Sequence, residues 1–115
     1  MPPMIPAEQP RGVFDNIKSD IKNINKHADI IIISFHWGEE KMKYPKEYQV
    51  KLAHLAIDNG ANLVIGHHPH VIQGIEKYKN GLIFYSLGNF VFGSFGQAMP
   101  ERPEGIVAIL SFSQN

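Results

Sequence analysis

The sequence predicts an α/β protein built on a mixed β-sheet with flanking helices, and three observations support this fold class. Apolar residues recur at spacings of three and four between Phe14 and Ile24, as on one face of a helix. Two β-branched runs, "IIIISF" and "NLVIG", lie on either side of a second helical segment, an order typical of parallel neighbouring strands. The later runs "VIQGIEKY" and "LIFYSL" flank a hairpin signal and "IVAILSF" follows as one more strand, which favours a sheet that is parallel at first and antiparallel at the end.

The first predicted helix runs from Phe14 to His27. Asp15 favours its N-terminal end and Lys26 its C-terminal end, because the helix dipole attracts an acid at the start and a base at the finish. The "DIIIISF" run that follows is too short for a helix of its own. A continuous β-branched run of this length predicts a strand that is buried on both faces.

A second helix is predicted from Pro45 to Asn59, with proline in its first turn and Gly60 just past its end. The run "NLVIG" then predicts a second buried strand, and Gly66 would let the chain turn sharply as it leaves that strand. The order strand, helix, strand implies a crossover that places the two strands in parallel. The buried stripe of the second helix is expected to consist of Tyr48, Leu52, Leu55 and Ala56.

The last third of the chain predicts hairpin and loop structure. The segments "VIQGIEKY" and "LIFYSL" flank Asn80-Gly81, a dipeptide that favours a tight hairpin turn. Residues 92–105, "FGSFGQAMPERPEG", are rich in Gly and Pro and predict a mobile surface loop. Residues 106–112, "IVAILSF", predict one more strand.

Composition places the chain among ordinary globular proteins, since 43% of its 115 residues are hydrophobic and 19% are charged. We expect an extended, proline-rich lead-in at 1–12 and a single domain at 13–115. Eleven basic residues balance eleven acidic ones, so no overall field favours nucleic acid as a partner. The absence of cysteine excludes disulfides and thiolate chemistry. We expect neither a signal peptide nor a membrane span, because no apolar stretch approaches the ~20 residues that a span needs.

Histidines follow both predicted parallel strands, where the sites of open α/β sheets form. His36 follows the first strand, and His68 and His70 follow the second within "VIGHHPH". Pro69 disfavours helical geometry at His68, so we expect an extended dipeptide that directs both imidazoles to a shared site. Neutral imidazole binds Zn, Mn and Fe, and three histidines suffice for a mononuclear site with a position for water. The sequence therefore predicts a divalent metal at His36, His68 and His70.

The carboxylates nearest to these histidines in sequence are Glu39 and Glu40. A two-metal hydrolytic centre normally uses carboxylates besides histidines. The two acids could orient a ligand, transfer a proton or contact substrate, and they could equally be solvated loop residues. We take Glu40, together with Asn89 of "YSLGNF", as candidate catalytic residues. Asn89 could line the site or hold its loop through bonds to the backbone.

Structural roles are the alternative for several other residues. His67 could face away from His68 and pack or bond to backbone. Trp37 could fill the core or form a wall of the pocket, and we favour the core. His27 and His54 fall on predicted helices, where we expect them to be solvated.

Three segments, "SFHWGEE", "GANLVIGHHPHVIQGIE" and "IFYSLGNFVF", strongly resemble in order and spacing the capsule-biosynthesis CapA/PgsA family. That family is linked to poly-γ-glutamate synthesis and belongs to the calcineurin-like metallophosphoesterase superfamily. In the superfamily an isolated histidine and a later Gly-His-x-His supply ligands to a two-metal centre. The resemblance implies the first role for His36 and the second for His68 and His70, although His67 is inserted here after Gly66.

The superfamily's upstream Asp-x-His, Gly-Asp and Asn-His segments do not occur before His36. The chain therefore resembles the C-terminal half of the superfamily's α/β/β/α sandwich, with one apolar sheet face in need of a cover. The resemblance implies that a missing N-terminal half or a second copy covers that face. It also implies a membrane-associated, extracytoplasmic location in the bacterial cell envelope, with the polyglutamate synthesis machinery as partner.

Three functions are compatible with these residues. The first is a part of a metal-dependent, phosphoesterase-like hydrolase that is incomplete, and inactive, in this chain alone. The alternative is a non-catalytic binding or assembly component of polymer synthesis or export without a functional metal centre. The third is an α/β binding domain whose histidines serve another ligand.

Overall fold

The computed structural model describes residues 12–89 and 104–113, and within them it confirms the predicted α/β class. Residues 1–11 of the predicted 1–12 lead-in and residues 92–103 of the predicted 92–105 loop lie outside the described residues. Neither described helix is long and apolar enough to cross a membrane. The elements in chain order are α1 (Val13–Ile24), β1 (Ile32–His36), α2 (Glu47–Asp58), β2 (Leu63–His67), β3 (Ile75–Tyr78) and β4 (Gly81–Phe84).

The sheet is mixed, with the strand order β1-β2-β4-β3. Strands β1 and β2 are parallel, β2 and β4 are parallel, and β3 pairs with β4 in the antiparallel sense. Ile32 lies opposite Leu63 and His36 lies opposite His67, so β1 and β2 end side by side. At their amino ends the Asn62 side chain accepts a hydrogen bond from the Ile31 N–H at 2.8 Å.

Both helices contribute to a hydrophobic core that covers one face of the sheet. Trp37 is 5% exposed, which confirms its predicted place in the core, and its indole N–H donates to the Tyr85 carbonyl at 2.9 Å. In the predicted stripe of α2 only Leu55 is wrong, because it is half-buried. The buried residues of α2 are Tyr48, Gln49, Leu52, Ala53, Ala56 and Ile57.

Within the described residues no helix lies on the opposite face of the sheet, and the prediction that β1 is buried on both faces is wrong. Ile32 is 50% exposed, and Ser34 and His36 on the same face are exposed as well. Ile33 and Phe35, which point the other way, are half-buried against the core. The β1 strand lies at an edge of a sheet that is covered on one side, so its β-branched residues are shielded on one side only.

The predicted strand at 106–112 is also wrong, because no strand forms there in the described residues. Residues 104–106 are joined to the segment after β4 by a bridge between Gly88 and Gly105, by a hydrogen bond from the Asn89 N–H to the Glu104 carbonyl at 3.0 Å and by one from the Ile106 N–H to the Leu87 carbonyl at 2.9 Å. Beyond them Val107 is 72% and Ile109 94% exposed. A strand requires a neighbouring ladder, and the described sheet offers none along these residues.

The predicted hairpin forms, one residue earlier than the dipeptide suggested. Tyr78 pairs with Gly81, so Lys79 and Asn80 make the turn and Lys79 takes the positive φ of 51°. Gly81 is instead the first residue of β4, where a Cβ atom would lie 2.4 Å from the Ile57 side chain. Close packing of α2 on this strand therefore requires glycine at that position.

His54 is not solvated as expected but ties α2 to the sheet. Its Nε2 lies 2.8 Å from a Glu76 carboxylate oxygen, and its ring stacks on Tyr78 at 3.8 Å between centroids. The Tyr85 hydroxyl donates to the same Glu76 oxygen at 2.6 Å. Burial raises the pKa of the Glu76 carboxyl, but the hydrogen bonds from Tyr85 and His54 outweigh burial and leave the pKa below its usual value. Burial beside Glu76 raises the pKa of Tyr85.

The substitution Glu76→Gln is expected to lower the free energy of unfolding at neutral pH and to flatten its fall in acid. The folded-state pKa of Glu76 lies below the unfolded value, so its contribution is present above that value and is lost as the pH falls through the folded-state pKa. Urea unfolding between about pH 3 and pH 7 measures the effect. Glu47→Gln, which removes a partly buried carboxylate paired with Lys51 within α2, controls for the change in net charge. Parallel pH profiles for the two variants would contradict the prediction.

Candidate metal centre

The two parallel strands deliver their histidines to one edge of the sheet, as predicted. His36 ends β1 and His67 ends β2, and the Trp37 N–H donates to the His67 carbonyl at 3.0 Å just beyond the ladder. His36 and His67 are both exposed and lie on the face without helices. The His36 ring lies 4.5 Å from that of His68, centroid to centroid.

Gly66 serves close packing here rather than the sharp turn predicted for it. It lies within β2 and does not have a positive φ. A Cβ atom at this position would lie 2.0 Å from the Tyr85 carbonyl oxygen and 2.3 Å from the Trp37 indole nitrogen. The hydrogen bond between those two groups passes over the backbone at Gly66, which therefore has no room for a side chain.

The backbone after β2 departs from the extended form expected at His68. His68 has φ 101° and His70 has φ 61°, both in the half of backbone space that residues other than glycine seldom occupy. Conformations of this kind cost on the order of 1–3 kcal/mol each and persist where the surrounding structure holds them. The hydrogen bond from the Lys41 N–H to the Pro69 carbonyl, at 2.8 Å, helps to hold the backbone between these two histidines.

Asn89 holds His70 from two sides. Its side-chain N–H donates to the His70 carbonyl at 3.1 Å, and its Oδ1 lies 2.9 Å from the His70 Nδ1. Because Oδ1 can only accept, Nδ1 carries the proton and the neutral ring has its lone pair on Nε2. Metal-ligating histidines characteristically donate their second ring N–H in this way.

Glu40, His68 and His70 form a cluster in which one ligand atom from each lies within 4.8 Å of the others. Tetrahedral ligands at about 2.1 Å from one ion lie about 3.4 Å from one another, so closure on an ion needs these atoms to approach each other by up to about 1.4 Å. Two imidazoles and a carboxylate suit Zn, Mn or Fe. The chemistry of this donor set therefore fits a divalent metal. Among the predicted ligands, His36 contacts His68 but does not belong to this cluster.

The loop that carries Glu40 is fastened to α2. The Gly38 N–H donates to the Tyr48 hydroxyl at 2.6 Å, and Gly38 has φ 80°. Glu39 forms an ion pair with Lys46 at 2.9 Å, with the ammonium largely buried and the carboxylate exposed. Of the two acids that the sequence left undecided, Glu39 is therefore engaged with Lys46 and Glu40 lies beside the histidines.

An open cavity of about 650 Å³ adjoins the cluster. The polar wall of the cavity consists of His36, His67, His68, His70 and Asn89. His67, for which a structural role was the alternative, therefore lines the same cavity as His68. The apolar wall of the cavity includes Leu87 and Ile106. Three buried polar residues near the loop could not be predicted from the sequence, because an isolated polar residue carries no local signal of burial. They are Gln49, Gln73 and Ser86.

The chain is similar to proteins that are named for capsule, PGA or polyglutamine biosynthesis. The chain is 45% identical over 92 positions to the capsule biosynthesis protein CapA of Bacillus anthracis, which covers 74% of this chain and 22% of the relative. It is 45% identical over 91 positions to the PGA biosynthesis protein CapA of Bacillus subtilis strain 168, covering 79% and 23%. A probable polyglutamine synthesis accessory protein of Mycobacterium tuberculosis is 33% identical over 81 positions, covering 70% and 21%.

These relatives are much longer than the chain, which spans between a fifth and a quarter of their length. The family model described as bacterial capsule synthesis protein PGA_cap matches residues 4–94. That match includes both parallel strands, the histidine loop and Asn89. By this match over most of its length, the chain belongs to the bacterial capsule synthesis protein (PGA_cap) family.

Proposed function

We propose that the chain contributes a metallophosphoesterase-like histidine metal site to a CapA-type protein of capsule or poly-γ-glutamate biosynthesis. The observation that carries the proposal is the cluster of Glu40, His68 and His70 within 4.8 Å. His68 and His70 act as imidazole ligands and Glu40 as a carboxylate ligand for Mn, Zn or Fe. His36 lies at the end of β1 in ring contact with His68, and it is the third histidine of the proposed site.

A divalent ion bound there would supply Lewis acidity towards a phosphoryl or acyl oxygen. The residues of the chain prepare the site for that ion. Asn89 fixes the tautomer and the orientation of His70, and the ring contact with His36 limits the rotation of His68. Because Glu40 is exposed and lies within ligand range of both histidines, we assign it to the ligand set and not to proton transfer.

The site is proposed to be incomplete in this chain. Within the described residues the cluster contains a single carboxylate, whereas a two-metal hydrolytic centre normally uses several. The cavity beside it is wide and open to solvent, which does not favour the exclusion of water from a reacting ester. Further ligands would come from the parts of the protein that correspond to the remaining length of the relatives.

The uncovered sheet face is proposed to pack against that further polypeptide. Ile32 on β1 and Val107 and Ile109 in the C-terminal segment expose apolar side chains that a partner would bury. The extended 106–113 segment has few backbone hydrogen bonds within the described structure, so it could also pair with a strand of the partner. A homodimer through the same face is the alternative arrangement.

The names of the relatives favour the cell envelope as the place of action. Two are CapA proteins of capsule or PGA biosynthesis and a third is a polyglutamine synthesis accessory protein. We therefore propose an extracytoplasmic, membrane-associated location, with the polyglutamate synthesis machinery as partner. The balanced charge of the chain gives no support for nucleic acid as a partner.

His68→Ala and His70→Ala are each expected to lower the affinity for Zn²⁺ or Mn²⁺ by on the order of 100-fold or more, because each removes an imidazole ligand. His36→Ala is expected to lower it by a smaller factor, since His36 lies outside the tight cluster. Calorimetric titration, with metal analysis after dialysis, measures these effects. The exposed His27, in the turn after α1, provides the matched control His27→Ala.

Two outcomes of that experiment would contradict parts of the proposal. Equal metal binding by the wild type and His68→Ala would favour the non-catalytic assembly role without a metal centre. Metal-dependent hydrolysis of a chromogenic phosphodiester by the wild type, lost in His68→Ala, would show that the site is complete in this chain. We expect metal binding without turnover.

Asn89→Ala is expected to lower the metal affinity by on the order of 10- to 100-fold, because it removes the partner that orients His70. Asn89→Asp is expected to lose less affinity than Asn89→Ala, since a carboxylate oxygen still accepts the hydrogen bond from Nδ1 although the donor to the His70 carbonyl is lost. Calorimetry of both variants against the wild type measures the effect. Equal losses in Asn89→Ala and Asn89→Asp would contradict an orienting role.

The isolated chain is expected to self-associate as its concentration rises, because the described residues leave Ile32 and Ile75, on the sheet face opposite the helices, about half exposed. Ile109→Lys is expected to weaken this association, since Ile109 is 94% exposed and lies between Ala108 and Leu110, which line the cavity on this side of the sheet. Ile24→Lys, in a residue 49% exposed on α1, is the control and should leave it unchanged. Size-exclusion chromatography with light scattering measures the mass. A stable wild-type monomer at high concentration would contradict the expectation.

A further inference from the structure

We propose that Gln73 and Gln49, a buried pair outside the ligand set, are positioning residues that fix the distance between Glu40 and the two histidines. This inference rests on the proposed metal site. It concerns the means by which two separate loops are held in register at that site. Neither glutamine belongs to the cluster of ligand atoms.

Gln73 joins the histidine loop to the loop of Glu40. It follows His70 by three residues and is 3% exposed. Its Nε2 donates to the Met42 carbonyl at 2.9 Å and approaches the Tyr44 carbonyl at 3.4 Å. The backbone N–H of Gln73 donates to the Ser86 carbonyl at 3.2 Å, which anchors Gln73 to the segment that follows β4. The exit of the Glu40 loop is therefore fastened to the exit of the histidine loop.

Gln49 supports the same loop from α2. Its side chain is fully buried, and its Oε1 accepts a hydrogen bond from the Lys46 N–H at 2.8 Å. Its Nε2 donates to the Gln73 Oε1 at 3.4 Å. The amide also lies against Gly38, where a Cβ atom would be 2.9 Å from the Gln49 Oε1. The Gln49 amide thus lies against Gly38 at the start of the Glu40 loop, and the Gln73 amide holds the end of that loop at Met42.

The hydrogen-bond directions require amides at both positions. Gln73 faces two carbonyl oxygens with a donor and faces Gln49 with an acceptor, so its orientation is fixed. A carboxylate at 73 would direct an oxygen at the Met42 and Tyr44 carbonyls, and an apolar side chain would leave Met42 without its donor. Either change would release the loop at Met42. The main-chain hydrogen bonds from Trp37 to the His67 carbonyl and from Lys41 to the Pro69 carbonyl would still join the two loops within the described residues, but the end of the Glu40 loop would be released.

The test measures the affinity of the full 115-residue chain for Zn²⁺ or Mn²⁺ alone, by calorimetric titration, together with thermal unfolding. Gln73→Met and Gln49→Met are expected to weaken binding by on the order of 10- to 100-fold. Asn62→Ala is the matched control, because it removes a similar side-chain hydrogen bond to backbone at the opposite end of β1 and β2. It is expected to lower the melting temperature and to leave the affinity within about twofold of the wild type.

The possible outcomes separate the two proposals. Binding that is lost in His68→Ala but retained in Gln73→Met, with only the melting temperature lowered, would overturn the positioning role alone. Absence of binding by the wild type would overturn the metal site and the positioning role with it. If Gln73→Met does not fold, Gln73→Asn decides the matter, because it keeps the amide and withdraws it by one methylene. Wild-type affinity in Gln73→Asn would overturn the inference.

Discussion

The parallel pairing of β1 with β2 is the constraint on which the rest of the structure depends. It places His36 opposite His67, so the loops that follow leave the same edge of the sheet. The pairing continues one step further through the hydrogen bond from Trp37 to the His67 carbonyl. The Trp37 indole then bonds to the Tyr85 carbonyl across Gly66. Three strands are thereby fixed together directly beneath the histidines, and the candidate metal centre rests on the most constrained part of the sheet.

Both helices of the described structure pack on the same side of the sheet, so its two faces differ in burial. On the covered face, Val64 and Ile83 are fully buried within the core. On the other face, Ile32 is half exposed at the edge strand. Burial of apolar area stabilises a fold by about 25 cal/mol per Å², so each exposed apolar side chain represents stabilisation that a cover would add. The histidine cavity opens beside this face, with Ile106 in its wall, so a polypeptide that covered the apolar surface would also adjoin the candidate site.

Local sequence patterns were enough to predict the elements, the mixed sheet and the edge at which the histidines gather. They could not predict which face of β1 is covered, because a β-branched run has the same pattern in an edge strand and in a central one. The strand expected at 106–112 failed for a related reason, since strand formation depends on a neighbour that the segment itself does not specify. The partnership of His54 with Glu76 joins residues 22 apart, and the pair of Gln49 and Gln73 joins residues 24 apart. Such contacts follow from tertiary packing and leave no periodic signal.

The positive φ angles of His68 and His70 show that the "GHHPH" motif alone does not determine the backbone geometry of the site. Proline at 69 predicts an extended residue before it, yet His68 has φ 101°. The unfavourable backbone is held by the Lys41 N–H on the Pro69 carbonyl and by the Asn89 side chain on His70. Those two residues lie on opposite sides of the motif in sequence. The motif therefore supplies the imidazoles, whereas the fold supplies their geometry, and the same residues on an unconstrained loop would relax towards extended backbone and separate the two rings.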